Sequence, residues 1–152
     1  MEKTEKIREL KALLSPAIER QGAFLVELAI KGDSKRELLE VFCDTEKGIT
    51  INQCAEISRE ILPLVDASQI LGGNFRLEVS SPGVGVPLRD RRQYKSNMGR
   101  LMSVKFRDGS EVKDIEGDLT DLTDETIVLK TETASVELGF DSIIEARAKI
   151  RW

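Results

Sequence analysis

Residues 77–88 read Leu-Glu-Val-Ser-Ser-Pro-Gly-Val-Gly-Val-Pro-Leu, and no other stretch limits the possible fold as tightly. A short strand pattern at Leu77, Glu78 and Val79 runs directly into Ser80, Ser81, Pro82 and Gly83. Proline fixes φ and glycine permits φ > 0, so Pro82-Gly83 suits the two central positions of a type II turn. Gly85 and Pro87 add a second brake, after which the charge pattern changes. The expected organisation is an α/β domain over 1–88, a basic junction over 89–98 and a small β-domain over 99–152.

The first part has helical and extended patterns in alternation. Ile7, Leu10, Leu14, Ala17 and Ile18 recur at spacings of three and four, one apolar stripe of a helix starting near Thr4. Pro16 is expected to kink or divide that helix, and Gly22 to stop it. Strands over Phe24–Ile30 and Glu37–Cys43 flank Lys31-Gly32-Asp33-Ser34, a linker suited to a hairpin. Thr50-Ile51-Asn52-Gln53 matches a capping box, and Ile51, Cys54, Ile57, Ile61 and Leu64 form the expected buried face of a second helix. With a third strand at Phe75–Val79, the order is α-β-β-α-β, two helices over one face of a small sheet.

From Leu101 onward short strands and turns dominate. Leu101–Phe106 precedes Asp108-Gly109, a hairpin signal. Val112–Leu122 holds Gly117, a candidate bulge or bend, and Thr126–Lys130, Ala134–Leu138 and Ile143–Ile150 complete five strands. Five short strands in so few residues point to a closed or nearly closed Sm-like or SH3-like β-barrel. The fold class expected for the whole chain is α+β.

The net charge of −4 conceals a polarised distribution. Residues 89–107 carry seven basic side chains against one acid, Asp90. Arg89, Arg91, Arg92, Lys95 and Arg100 are therefore candidate phosphate contacts, although Tyr94 and Phe106 are the only rings that interrupt the run. Residues 108–145 carry twelve acids against Lys113 and Lys130, a net of −10 that opposes a phosphate backbone. Asp114, Glu116, Asp118, Asp121 and Asp124 make up a candidate face for a basic protein. Solvation alone accounts equally for both charge runs.

Several chemistries are excluded or unsupported. The chain has no histidine, so it has no Ser-His or Cys-His pair and no histidine metal ligand. Cys43 and Cys54 cannot by themselves complete a zinc site, and both read as core thiols. Gly83-Val84-Gly85-Val86-Pro87-Leu88 lacks the third glycine of a dinucleotide fingerprint, and there is no Walker A string. The element order resembles KH-type RNA-binding domains without their Gly-x-x-Gly clamp. The carboxylates show no spacing that singles out an acid/base pair. No cofactor, metal or active site is expected. The charged amino terminus has no signal-peptide core, and Ala23–Ile30 is too short to span a bilayer, which points to the cytoplasm and to no membrane.

The string Phe75-Arg76-Leu77-Glu78-Val79-Ser80-Ser81-Pro82-Gly83 resembles the strand-exit signature of the RimP family, the small-subunit ribosome maturation factors. The resemblance extends to Gly48-Ile49, to Cys54 with Ser58-Arg59, and to Pro87-Leu88 and Gly99. It continues through Gly117-Asp118-Leu119 and Ile144-Glu145-Ala146-Arg147. It implies an amino-terminal α/β domain, a carboxy-terminal Sm-like barrel and a monomeric, non-catalytic assembly factor acting on the free small (30S) ribosomal subunit. The implied partners are rRNA and a basic ribosomal protein. Family members usually carry a polar pair, typically Asp-Arg, just before Pro-Leu, where this chain has Gly85-Val86. If that arginine contacts rRNA or a protein partner, this chain lacks the contact or takes it from Arg89, Arg91 or Arg92. The competing readings are a general RNA-binding module, which the acidic half opposes, and a carboxylate hydrolase, for which no residue pattern speaks.

Overall fold

The apolar stripe of the first helix is the seed of the amino-terminal fold. In a computed structural model that describes residues 1–33, 35–83 and 85–149, α1 spans Lys3–Arg20 and buries Leu10, Leu14, Ala17 and Ile18. Pro16 does not divide it. Pro16 and Ala12, whose carbonyl loses its intrahelical donor to the proline, are both exposed, so water can replace the missing bond. At the other end Gly22 takes φ +80°, while its N–H and that of Ala23 donate to the Glu19 and Ile18 carbonyls at 3.0 and 3.3 Å. That pair of bonds is a Schellman stop.

Strands β1 (Phe24–Asp33) and β2 (Arg36–Asp44) form the expected hairpin, antiparallel, with a register shift between Leu25 and Glu27. Asp33 Oδ1 accepts the Lys35 and Arg36 N–H groups at 2.9 and 3.2 Å, which tightens the turn. Helix α2 (Ile51–Ser68) starts on a complete capping box: Gln53 N–H donates to Thr50 Oγ1 at 3.1 Å and Thr50 N–H to Gln53 Oε1 at 2.9 Å. Its buried face is Cys54, Ile57, Ile61 and Val65, with Leu64 half-buried. Ile51, expected on that face, is 89% exposed because it sits at the first helical position, before the stripe reaches the sheet. Strand β3 (Arg76–Ser80) lies parallel to β2, giving sheet order β1-β2-β3. Helices and sheet enclose one core around Leu10, Leu14, Leu39, Val41, Ile57 and Ile61.

The chain divides into two compact units, Met1–Pro82 and a second from Gly83 onward. In the second, helix α3 (Arg92–Ser96) precedes β4 (Leu101–Asp108), β5 (Glu111–Leu122), β6 (Thr126–Lys130), β7 (Ser135–Gly139) and β8 (Ile143–Ala148), with a 3-10 turn at Phe140–Ser142. All five strands pair antiparallel in the order β7-β6-β5-β4-β8. The expected closure is not made: β7 and β8 are the two edges, and no hydrogen-bonded ladder joins them among the described residues. The extra residue in β5 is Thr120, between Leu119 and Asp121, not Gly117. A Cβ on Gly117 would lie 2.9 Å from the Lys130 carbonyl oxygen, so that glycine serves close backbone approach. The inward side chains include Met102, Val104, Leu119, Ile127, Leu129 and Ala146.

Ser34 of the hairpin linker, Val84 of the strand exit, Ile150 of the expected last strand, and Arg151 and Trp152 lie outside the described residues.

Candidate nucleic-acid interface

The strand exit differs from the sequence expectation at its glycines. Ser80 ends β3, and Gly83 has no positive φ, so the type II turn centred on Pro82-Gly83 is not formed. The left-handed residue is Gly85, at φ +91°, and the Val86 N–H donates to the Gly83 carbonyl at 3.3 Å. Arg147 explains the shift: its Nη1 donates to the Gly85 carbonyl at 2.9 Å from 62 residues away. Next to it Pro87 bridges Arg147, and the Leu88 N–H donates to the Ala146 carbonyl at 2.8 Å. These contacts lay the start of the basic segment along β8.

Gln93 then organises the segment. It is 1% exposed, and its Oε1 accepts the N–H groups of Arg89 and Asp90 at 2.7 and 3.0 Å. Its own carbonyl accepts Asn97 Nδ2 at 2.7 Å and Ser96 Oγ at 2.8 Å. Tyr94 packs its ring edge-on to Phe140 at 5.1 Å between centroids, inside the second core. Burial pushes its hydroxyl up to about 12. Within residues 89–98, the Gln93 and Asn97 bonds brace the segment internally, and Tyr94 anchors it in the second core.

The five candidate cations separate into different states. Arg92 chelates Asp90 through Nε at 3.0 Å and Nη2 at 2.8 Å, and that hydrogen bonding holds the Asp90 carboxyl below its ordinary range. Arg91 lies 4.5 Å over the Phe140 ring, donates to the Asp124 carbonyl at 3.0 Å and approaches Asp141 at 4.0 Å. Lys95 is exposed on α3. Arg89 and Arg100 are exposed, and no hydrogen bond or ion pair engages either side chain among the described residues.

Of the acids expected to form one face, Asp114, Glu116, Asp118 and Asp121 lie on β5, on the side away from the core. The face is mixed, because Lys105 stands beside Asp114 in register, Lys130 beside Asp118, and Lys149 pairs with Glu116. Asp124 lies apart, in the β5–β6 loop that receives Arg91. An open hollow of about 750 Å³ is lined by Leu101, Glu116, Gly117, Asp118, Lys130 and Glu132, among others. In the first unit Ser80 is the last residue of β3, and Ser81 and Pro82 follow it. Both cysteines are buried free thiols; burial pushes Cys43 up to about 12 and Cys54 in the same direction.

Comparison with known proteins bears on this geometry. The family profile described as the RimP N-terminal domain matches residues 13–85. A protein of Chlorobium chlorochromatii named ribosome maturation factor RimP is 40% identical over 123 residues, which is 72% of this chain and 68% of the relative. The chain belongs to the RimP family. A second relative of the same name, from Prosthecochloris aestuarii, is 42% identical over 104 residues, 65% of this chain. The chain spans 58% of the length of that protein. No described helix is long and apolar enough to cross a membrane.

Sequence reasoning missed Gln93 and Arg147. A glutamine in a polar run and an arginine in the last strand have no local signal; each is defined by a partner on another element.

Proposed function

We propose that this chain is a non-catalytic assembly factor for the small ribosomal subunit, acting as a monomer in the cytoplasm on free 30S particles. The observation that carries this reading is the 40% identity over 123 residues to a protein named as a ribosome maturation factor. The basic segment from Arg89 to Arg107 meets rRNA phosphate, where each neutralised phosphate releases counterions. The outward acids of β5, with the hollow beside Glu116 and Asp118, receive a basic ribosomal protein. Ser80, Ser81, Pro82 and Gly83 are a further candidate contact. The second unit is read as an Sm-like barrel whose edge strands β7 and β8 are not joined to each other; five consecutive antiparallel strands and the close approach at Gly117 support that reading.

The test is co-sedimentation of the purified chain with free small subunits, intact ribosomes and unrelated RNA. Retention on free small subunits alone is the expected result. Equal retention on all three would replace this reading with a general RNA-binding module, and retention on none would remove the assembly role.

A further inference from the structure

Within the basic segment, the fold has already used some cations and left others unengaged. Arg92 is neutralised by Asp90 through two hydrogen bonds at 2.8 and 3.0 Å, and Arg91 is seated on Phe140 and the Asp124 carbonyl. Bringing either to a phosphate means breaking these contacts first. Arg89 and Arg100 have the opposite arrangement, a fixed backbone and a free head group. The Arg89 N–H is held by Gln93 Oε1 at 2.7 Å. The Arg100 N–H donates to the Asn97 carbonyl at 3.0 Å, and its own carbonyl accepts the Leu119 N–H at 2.9 Å. Carboxylates near Arg89 do not compete for it. Asp90 and Glu145 line the same small hollow as Arg89, and they are occupied by Arg92 and Arg147. Lys105, by contrast, stands in register between Asp114 and Glu145.

We infer that, of the arginines between residues 89 and 100, Arg89 and Arg100 contact RNA phosphate, while Arg91 and Arg92 are positioning residues that shape the segment. This assignment rests on the assembly-factor reading above. An arginine on an ordered backbone loses less freedom on binding, and its planar donors match phosphate oxygens in pairs. Each lost phosphate contact lowers the slope of log K against log salt by roughly 0.7–0.9.

The experiment titrates free small subunits with the unaltered chain, the Arg89→Gln/Arg100→Gln double variant and Arg92→Gln across a potassium chloride series. Thermal unfolding is recorded for each. The double variant should lower the salt slope by roughly 1.4–1.8 and leave the melting temperature unchanged. Arg92→Gln should leave the slope unchanged and lower the melting temperature. An unchanged slope in the double variant overturns the assignment alone, as does an equal loss of slope in Arg92→Gln. Failure of the unaltered chain to bind free small subunits overturns the assembly reading and the assignment together.

Discussion

The two units bury polar groups by different means. In the first, the most deeply buried acid is Glu37, 8% exposed, which accepts the Gly72 N–H at 3.0 Å and pairs with Lys6 at 3.1 Å. It joins α1, β2 and the loop before β3 through one charged carboxylate. In the second, much of the corresponding work falls to neutral amides: Gln93 and Asn97 brace the segment ahead of β4, beside the charged Asp90–Arg92 pair. A buried carboxylate ties tertiary order to pH and needs its cation, whereas a buried amide needs only correctly placed donors.

Removing Glu37 should have the largest effect. Glu37→Ala leaves the Gly72 N–H and the Lys6 ammonium without their acceptor, and it is expected to destabilise the first unit by about 3 kcal/mol in urea unfolding. The Gly72 N–H first, and then Lys6, hold the Glu37 carboxyl below its ordinary range against the opposing cost of burial. A depressed native value means the unfolded chain binds the proton more readily. The contribution is therefore fully present above the unfolded value near ~4.3 and disappears as pH falls through the native one. Glu37→Gln should flatten this loss in an acid titration monitored by circular dichroism. An unaltered acid profile would contradict the assigned role. Asp90 adds a term of the same sign in the second unit, held down by Arg92.

Gln93→Ala comes next, at about 2 kcal/mol, because the Arg89 and Asp90 N–H groups lose their shared acceptor. Unlike the Glu37 effect, this loss should be the same at pH 4 and pH 7, as an amide does not titrate there. Amide exchange at Arg89 and Asp90 should accelerate. If the cost varied strongly with pH, the division between a charged and a neutral anchor would fail.

How much of this was legible in the sequence depends on how far the deciding partner lies along the chain. The stripes of α1 and α2 and the Thr50–Gln53 box are set within four residues, and they are seen in the structure. The Asp108-Gly109 hairpin is likewise local, with Asp108 opposite Glu111. Gly83 and Gly85 were harder, because Arg147 selects between two nearby turn positions from the far end of the unit. Barrel closure was not legible either. Alternation identifies strands, but the pairing of edges depends on curvature, which here enters through Thr120 and the close contact at Gly117. Among the site residues, charge counting found Arg89 to Arg100 as a group. It could not separate free cations from engaged ones, since Phe140 and the Asp124 carbonyl are remote in sequence.

The smaller predictions test whether local contacts differ as the buried ones do. Thr50→Ala removes one side of the capping box and should cost about 1 kcal/mol, with fraying confined to the first turn of α2. Arg91→Gln in the second unit removes the cation from the Phe140 face and should cost about 0.5–1 kcal/mol. Arg91 is 60% exposed, so water and salt screen its approach to Asp141. The ring contact and the bond to the Asp124 carbonyl should therefore dominate, and the cost should change little between low and high salt. A cost that vanished at high salt would show that Arg91 acts through charge, and would return it to the pool of cations available for phosphate.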